Sequence, residues 1–100
     1  MIRHIVMWRV KGESADERRR GRLQVKAAFE GLRGRIPGMT RLEIGLDTSG
    51  TDYACDVVLV TDFHSQQALD EYANHPEHLR VRRELDGIRV TRHQVDYAAE

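Results

Sequence analysis

The chain has 100 residues, of which 40% are hydrophobic and 32% are charged, and its 16 basic side chains balance 16 acidic ones. This length and composition predict a single domain over residues 1–100 that buries about two-thirds of its unfolded surface. The zero net charge argues against a general affinity for nucleic acid or for an anionic membrane.

Cysteine content and the N-terminal residues bear on the compartment. Cys55 is the only cysteine, so no internal disulfide can form, which is typical of the reducing cytoplasm. It opens an apolar run with no histidine near it in sequence, and we interpret it as a small hydrophobe rather than a nucleophile. The chain begins as a strand without a signal-peptide core, and no apolar run approaches the roughly 20 residues that span a bilayer. We therefore expect a soluble cytoplasmic protein.

The first third of the chain predicts a strand followed by a helix. Residues 2–10 are rich in β-branched and large apolar side chains, which favours a strand. Residues 14–17, Ser-Ala-Asp-Glu, match a capping box, so a helix should begin there and run to about Arg33, with Gly34 ending it. One face of this helix is apolar and carries Val25, Ala28, Phe29 and Leu32.

Two strands follow the turn at residues 36–38. Residues 39–47 alternate apolar with polar side chains, which predicts a strand with one wet face. Residues 48–52 form a polar loop. Residues 55–63 include four consecutive apolar side chains, which predicts a strand covered on both faces.

The last third predicts two helical segments and a strand. Ser65 can cap a helix that carries Ala68, Leu69 and Tyr72 on one side. Pro76 suits the first position of a further helical segment, with Asn74 or His75 before it. Residues 88–97 form the last strand.

The resulting order, β-α-β-β-α-β, predicts an α+β ferredoxin-like subunit. This fold places the first and third strands in the centre of the sheet and the second and fourth at its edges. The composition agrees, because strands one and three are apolar on both faces whereas the other two carry polar side chains, namely Arg41, Glu43, Arg92, Gln94 and Asp96.

The two faces of the central strands predict an assembly. Helices cover only one face of such a sheet. Ile5 and Met7 point away from His4, Val6 and Trp8, and Val58 and Val60 point away from Val57 and Leu59. One of these two faces would therefore stay exposed in a monomer. Covering such a patch would supply on the order of 20 kcal/mol at ~25 cal/mol per Å² before association costs. We therefore predict a homodimer of face-to-face sheets.

Several spaced segments resemble the stress-responsive dimeric A/B barrel (Dabb) domain. They are IRHIVMWRVK at 2–11, IPG at 36–38, LEIG at 42–45, ALDEY at 68–72, HPEH at 75–78 and VDY at 95–97. The resemblance covers nearly the whole chain. It implies a ferredoxin-like subunit whose sheet pairs with that of a second copy to form a dimeric α/β barrel.

The resemblance implies two kinds of function. Some members are stress-associated oligomeric proteins without known chemistry, while plant polyketide cyclases of the family close a ring by aldol chemistry. In those cyclases a tyrosine and a histidine base match Tyr72 and His78, and a further cavity histidine matches His4. Val57 stands where the cyclases have a histidine, and Phe29 is the only aromatic residue of helix one. Both departures argue against the cyclase substrate class.

The segment from Tyr72 to His78 also points to chemistry by its residue types alone. It places a phenol and two imidazoles within seven residues, across a proline. Enolate chemistry needs a base and a hydrogen-bond donor, roles that suit His78 and Tyr72. His78 would lie in the first turn of its helix, where the positive helix end disfavours imidazolium. The same residues also suit a purely structural helix junction, so that alternative stays open.

We predict that the protein binds a small hydrophobic or carbonyl-bearing metabolite between helices and sheet. Tyr72 and His78 would be the catalytic pair if it is an enzyme (a cyclase, lyase or isomerase), and the contacts to the ligand would come from His4, Val6, Trp8, Phe29, Val57 and His75. His75 and His78 have a metal-ligand spacing, but Pro76 disrupts it and no third ligand is evident. We predict no metal and no cofactor.

Overall fold

A computed structural model describes all 100 residues as four strands and three helices. In chain order the elements are β1 (Ile2–Val10), α1 (Ala15–Glu30), β2 (Met39–Leu46), β3 (Val57–Phe63), α2 (Gln66–Ala73), α3 (Pro76–Glu84) and β4 (Arg89–Ala98). The predicted ferredoxin-like order is confirmed, with the second helical region broken into α2 and α3 at the proline. No helix has the length and apolarity that crossing a membrane requires.

Side-chain caps start all three helices. The Ser14 hydroxyl accepts from the Glu17 amide at 3.1 Å, while the Glu17 carboxylate accepts from the Glu13 amide at 3.0 Å. Ser65 caps α2 through the Ala68 amide at 3.1 Å. His75 is the N-cap residue of α3, and its Nδ1 accepts from the Glu77 amide at 3.1 Å. The predicted helix starts are therefore confirmed.

Helix α1 ends at Glu30, three residues before the predicted end. The amides of Leu32 and Arg33 donate to carbonyls three residues back, Phe29 at 3.0 Å and Glu30 at 3.1 Å, so the chain tightens out of the α-helix there. Gly34, at φ +76°, completes the reversal in the left-handed region.

The sheet has the strand order β2-β3-β1-β4, and every neighbouring pair is antiparallel. Strands β1 and β3 are central, as predicted. Strand β3 begins at Val57, two residues later than predicted, so Cys55 lies before the strand. The β1–β3 ladder ends at the Trp8–Val57 pair, because beyond it the Asp56 carboxylate accepts the Val10 amide at 2.8 Å.

The helices cover one face of the sheet, where the core lies. Val6, Trp8, Val57 and Leu59 are at most 3% exposed there. On the opposite face Ile5, Met7, Val58 and Val60 are only half-buried, and the neighbouring Val95 is 53% exposed. We call this opposite surface the open face; its apolar character is as predicted.

Candidate functional site

A cleft of about 270 Å³ lies between the helices and the covered face of β1 and β4. Its apolar lining comes from β1, α1, β3 and β4, through Val6, Trp8, Phe29, Leu59 and Val90. Trp8 and Phe29 stack with their ring centroids 5.1 Å apart, so one wall of the cleft is aromatic. The polar lining consists of His4, Tyr72, His78, Arg82, Arg89, Thr91 and Arg92.

The junction between α2 and α3 brings Tyr72 and His78 into contact. Their ring centroids are 4.3 Å apart, because Pro76 breaks the helix and turns α3 back over the end of α2. The Nδ1 of His78 lies 3.2 Å from the Ala73 carbonyl oxygen, which can only accept a hydrogen bond. Nδ1 therefore carries the proton, and the Nε2 lone pair of a neutral His78 is left free for a ligand.

Burial sets the protonation state of His78. It lowers the pKa of His78 below the ordinary value, and the positive charges of Arg82, Arg89 and Arg92 lower it further. The hydrogen bond to the Ala73 carbonyl raises the pKa of His78, but the lowering by burial is larger. A neutral His78 is what a general base requires.

The Tyr72 hydroxyl is buried and has no hydrogen-bond partner in the protein. Tyr72 itself is 3% exposed, and burial raises the pKa of its phenol well above the usual range. The phenol therefore stays protonated as a hydrogen-bond donor. A buried donor without a partner costs about 1–3 kcal/mol, which a carbonyl oxygen placed against it would recover.

His4 is paired with an acidic residue that the sequence did not single out. Its Nδ1 lies 2.5 Å from a carboxylate oxygen of Asp96, which fixes the ring and places the proton of the neutral form on Nδ1. The rings of His4 and Tyr72 meet edge to face at 6.2 Å. His4 and Asp96 are register partners on β1 and β4, so only the strand register could have revealed this pair.

A smaller hollow of about 190 Å³ adjoins the cleft. It shares His4, Tyr72, His78 and Arg92 with the cleft and adds Asp70 and Asp96 to its lining. His4, Tyr72 and His78 therefore line both spaces.

Two of the residues expected to contact a ligand lie outside both spaces. Val57 is 2% exposed, packs in the core and pairs with Trp8 across the strands. His75 uses its Nδ1 to cap α3. The structure does bring together His4, Val6, Trp8, Phe29, Tyr72 and His78. No cluster of three or more histidine, cysteine, aspartate or glutamate side chains is placed to hold a metal ion.

The sequence also gave no sign that Arg82, Arg89 and Arg92 line the cleft. Arg89 and Arg92 lie on the edge strand β4, whose polar side chains resemble an ordinary wet face. A bulge opposite Arg9 and Val10 shifts the register and sets Arg89 beside Val10, on the covered side. Arg82 is an exposed residue of α3. For none of the three arginines do the neighbouring residues in the sequence indicate a place in the cleft.

Comparison with known proteins identifies the fold and a family. The model of the stress responsive A/B barrel domain matches residues 2–99. No protein with a curated description matches the chain.

Solved structures with this fold come from several bacteria and plants. A dimeric ferredoxin-like protein of unknown function from Bacteroides fragilis is 26% identical, covers 96% of this chain and 93% of its own, and superposes with a TM-score of 0.84. A Dabb family protein from Mesorhizobium loti is 23% identical over 99% of this chain and 96% of its own, with a TM-score of 0.72. Hydroxynitrile lyase from Passiflora edulis is 19% identical over 99% and 93%, with a TM-score of 0.79.

Proposed function

The chain belongs to the stress-responsive A/B barrel family, and we propose that it binds a small apolar metabolite bearing a carbonyl group in the cleft. One observation carries this proposal: Tyr72 and His78 are in ring contact within a cleft whose wall is the stacked pair of Trp8 and Phe29. An apolar pocket with a few convergent polar groups is the usual form of a small-molecule site. A purely structural junction would leave neither a cleft nor an unpaired Tyr72 hydroxyl.

His78 and Tyr72 would divide the work of proton transfer. His78 would use its free Nε2 to remove a proton from the carbon next to the ligand carbonyl, and would become imidazolium. The electron pair of that C–H bond would form a C=C bond as the π pair of the carbonyl moves onto its oxygen, giving an enolate. Tyr72 would donate a hydrogen bond to this oxygen, where the negative charge develops. His4, held by Asp96, would contact a second polar group of the ligand.

Lyase chemistry is the second candidate. The Passiflora edulis protein with this fold is a hydroxynitrile lyase. A neutral imidazole nitrogen can take a proton from a hydroxyl group as well as from carbon, so the same free Nε2 favours this candidate. Aldol ring closure, as in polyketide cyclases, would use the enolate described above, although Val57 offers no histidine there.

We also infer that the protein acts as a homodimer joined through its open face. The Bacteroides fragilis protein with this fold is dimeric. The half-exposed side chains of Ile5, Met7, Val58 and Val60 supply the contiguous apolar surface that a partner sheet would bury. A non-catalytic, stress-associated protein would need this interface but not the cleft.

The amino-acid composition of the chain supports a cytoplasmic location. Cys55 is a single free cysteine, and the zero net charge gives no reason to expect nucleic acid or membrane partners. Fractionation of the native cells would test this inference.

Binding is best tested by NMR, because both faces of the sheet carry suitable reporters. Titration with 4-phenyl-2-butanone, a methyl ketone with a phenyl group, should shift the methyl signals of Val6 and Leu59 and the indole N–H signal of Trp8. The methyl signals of Val58 and Val60, on the open face, serve as the internal control and should stay in place. Shifts confined to the open face, or none at millimolar ketone, would refute the proposal.

A further inference from the structure

Three arginines surround the cleft, and no acidic side chain does. Arg82 comes from α3, while Arg89 and Arg92 come from β4. None of the three belongs to an ion pair, although other arginines of the chain are paired, such as Arg3 with Asp62 and Arg22 with Asp56. The cleft therefore has a basic rim without a counter-charge from the protein.

Arg89 is the most constrained of these arginines. It is half-buried, and its guanidinium carbon lies 5.0 Å from the ring centroid of Trp8 and 5.8 Å from that of Phe29. Burial lowers the pKa of Arg89, and the charges of Arg92 and Arg82 lower it further. The aromatic faces stabilise the cation in part. The repulsion among the three cations nevertheless remains, and an anion in the cleft would relieve it.

Two acids share the adjoining hollow with Arg92. Asp70 and Asp96 line the adjoining hollow, and Asp96 is already engaged by His4 and by Gln94, the latter at 3.0 Å. Arg92 also lines this hollow and is linked to Asp96 through Gln94, whose amide oxygen accepts from Arg92. The Asp96 carboxylate is thus engaged by His4 and Gln94 and forms no ion pair with Arg92.

The geometry points to a carboxylate-binding subsite formed by Arg89 and Arg92, with Arg82 at its rim, so that the ligand is a small organic acid with a flat apolar body. This inference rests on the proposed function and adds the class of its ligand. A guanidinium above aromatic rings keeps N–H groups at its edge, where they match the two oxygens of a carboxylate. The apolar body would lie against Trp8 and Phe29, within reach of Tyr72 and His78. A volume of about 270 Å³ suits one acid of this size.

The test compares an acid with its neutral isostere in the intact protein. Calorimetry measures the dissociation constants of 3-benzoylpropanoate and 3-benzoylpropanamide, which share the aryl ketone and differ in charge. The acid should bind the native protein at least roughly tenfold more tightly than the amide, as expected for hydrogen bonds to a charged group. Arg89→Gln and Arg92→Gln should each reduce this preference, measured as the ratio of the amide and acid dissociation constants of the same variant. Arg83→Gln, at an exposed arginine of α3 outside the cleft, is the matched control and should retain it.

A second measurement does not depend on any variant folding. A bound carboxylate would offset the arginine charges that lower the pKa of His78, so the acid should raise the NMR titration midpoint of His78 and the amide should not. Equal binding of acid and amide to the native protein would overturn the carboxylate subsite and leave the proposed function intact. Tighter binding of phenyl phosphate than of the acid would also overturn it, in favour of a phosphoryl group. If neither 3-benzoylpropanoate nor 3-benzoylpropanamide binds, the proposed function itself is overturned.

Discussion

The Tyr72 hydroxyl is the residue-level feature that best separates a ligand site from a structural junction. Because it is buried without a partner, Tyr72→Phe should leave the free energy of unfolding unchanged or raise it slightly. The same variant should bind 4-phenyl-2-butanone more weakly, by up to roughly tenfold, because one hydrogen bond is lost. Urea unfolding and ligand titration measure the two effects. A clear loss of stability would mean that the hydroxyl bonds within the protein.

The depressed pKa of His78 predicts a specific pH dependence of stability. The unfolded chain takes up the His78 proton near pH ~6.5, whereas the folded protein takes it up only at a lower pH. The contribution of neutral His78 to stability is therefore complete above about pH 6.5 and is lost as the pH falls towards the folded-state pKa. Between pH 7.5 and 5.5 the native protein should lose more stability than His78→Gln. Urea midpoints that fall equally in both proteins would contradict this.

The sequence indicated which candidate residues lie near one another better than it indicated their hydrogen-bond and charge partners. The positions of Tyr72 and His78 follow from the proline between them, and the alternation of β1 sets His4, Val6 and Trp8 on one face. The helix-end argument for a neutral His78 gave the right direction, but burial is the largest cause. The Asp96 contact and the Arg89 position depend on the β1–β4 register and its bulge, which are properties of two distant segments.

Among the elements, α1 is tied to the sheet through Asp56. Its carboxylate accepts from the Val10 amide at 2.8 Å and from the Arg22 guanidinium at 2.5 and 2.9 Å. Asp56→Ala would leave a buried amide and a part-buried cation without partners, so it should destabilise the fold by about 2–4 kcal/mol.

The matched control for this prediction is Asp16→Ala. Asp16 forms an exposed pair with Arg19 at 3.8 Å, and its removal should change the urea midpoint little. Equal effects of the two substitutions would show that Asp56 does not hold α1 to the sheet.

Element boundaries were less predictable than the elements themselves. Helix α1 ends early because backbone amides bond three residues back, and β3 starts late because the Asp56 side chain replaces a strand carbonyl. Both boundaries are therefore set by individual hydrogen bonds. Hydrophobic periodicity cannot detect them.

At the scale of the whole molecule, the open face predicts the oligomeric state. Val60 lies in the centre of that face, paired with Ile5 and Glu43. Val60→Lys would place a charge within the proposed interface, so it should convert a dimer to a monomer in light scattering at micromolar concentration. Leu23→Lys, at a 53% exposed position on α1, is the matched control and should remain dimeric. A native protein that is monomeric would contradict the proposed assembly.

The order and packing of the whole fold were predictable because they depend on patterns that repeat along the chain. Two strands that are apolar on both faces must be central, and helices can cover only one side of them. The cleft was harder to predict, because it depends on where packing leaves space. Val57, expected to line it, is instead a buried core residue.

Proton transfer at His78 is tested most directly by the rate of deuterium exchange next to a carbonyl. In heavy water the native protein should accelerate loss of the α-proton signal of 3-benzoylpropanoate above the rate in buffer. His78→Gln should lower this acceleration by roughly 100-fold or more, while His64→Gln, at an exposed histidine outside the cleft, should retain it. Exchange at the buffer rate with the native protein, or undiminished exchange with His78→Gln, would contradict the account.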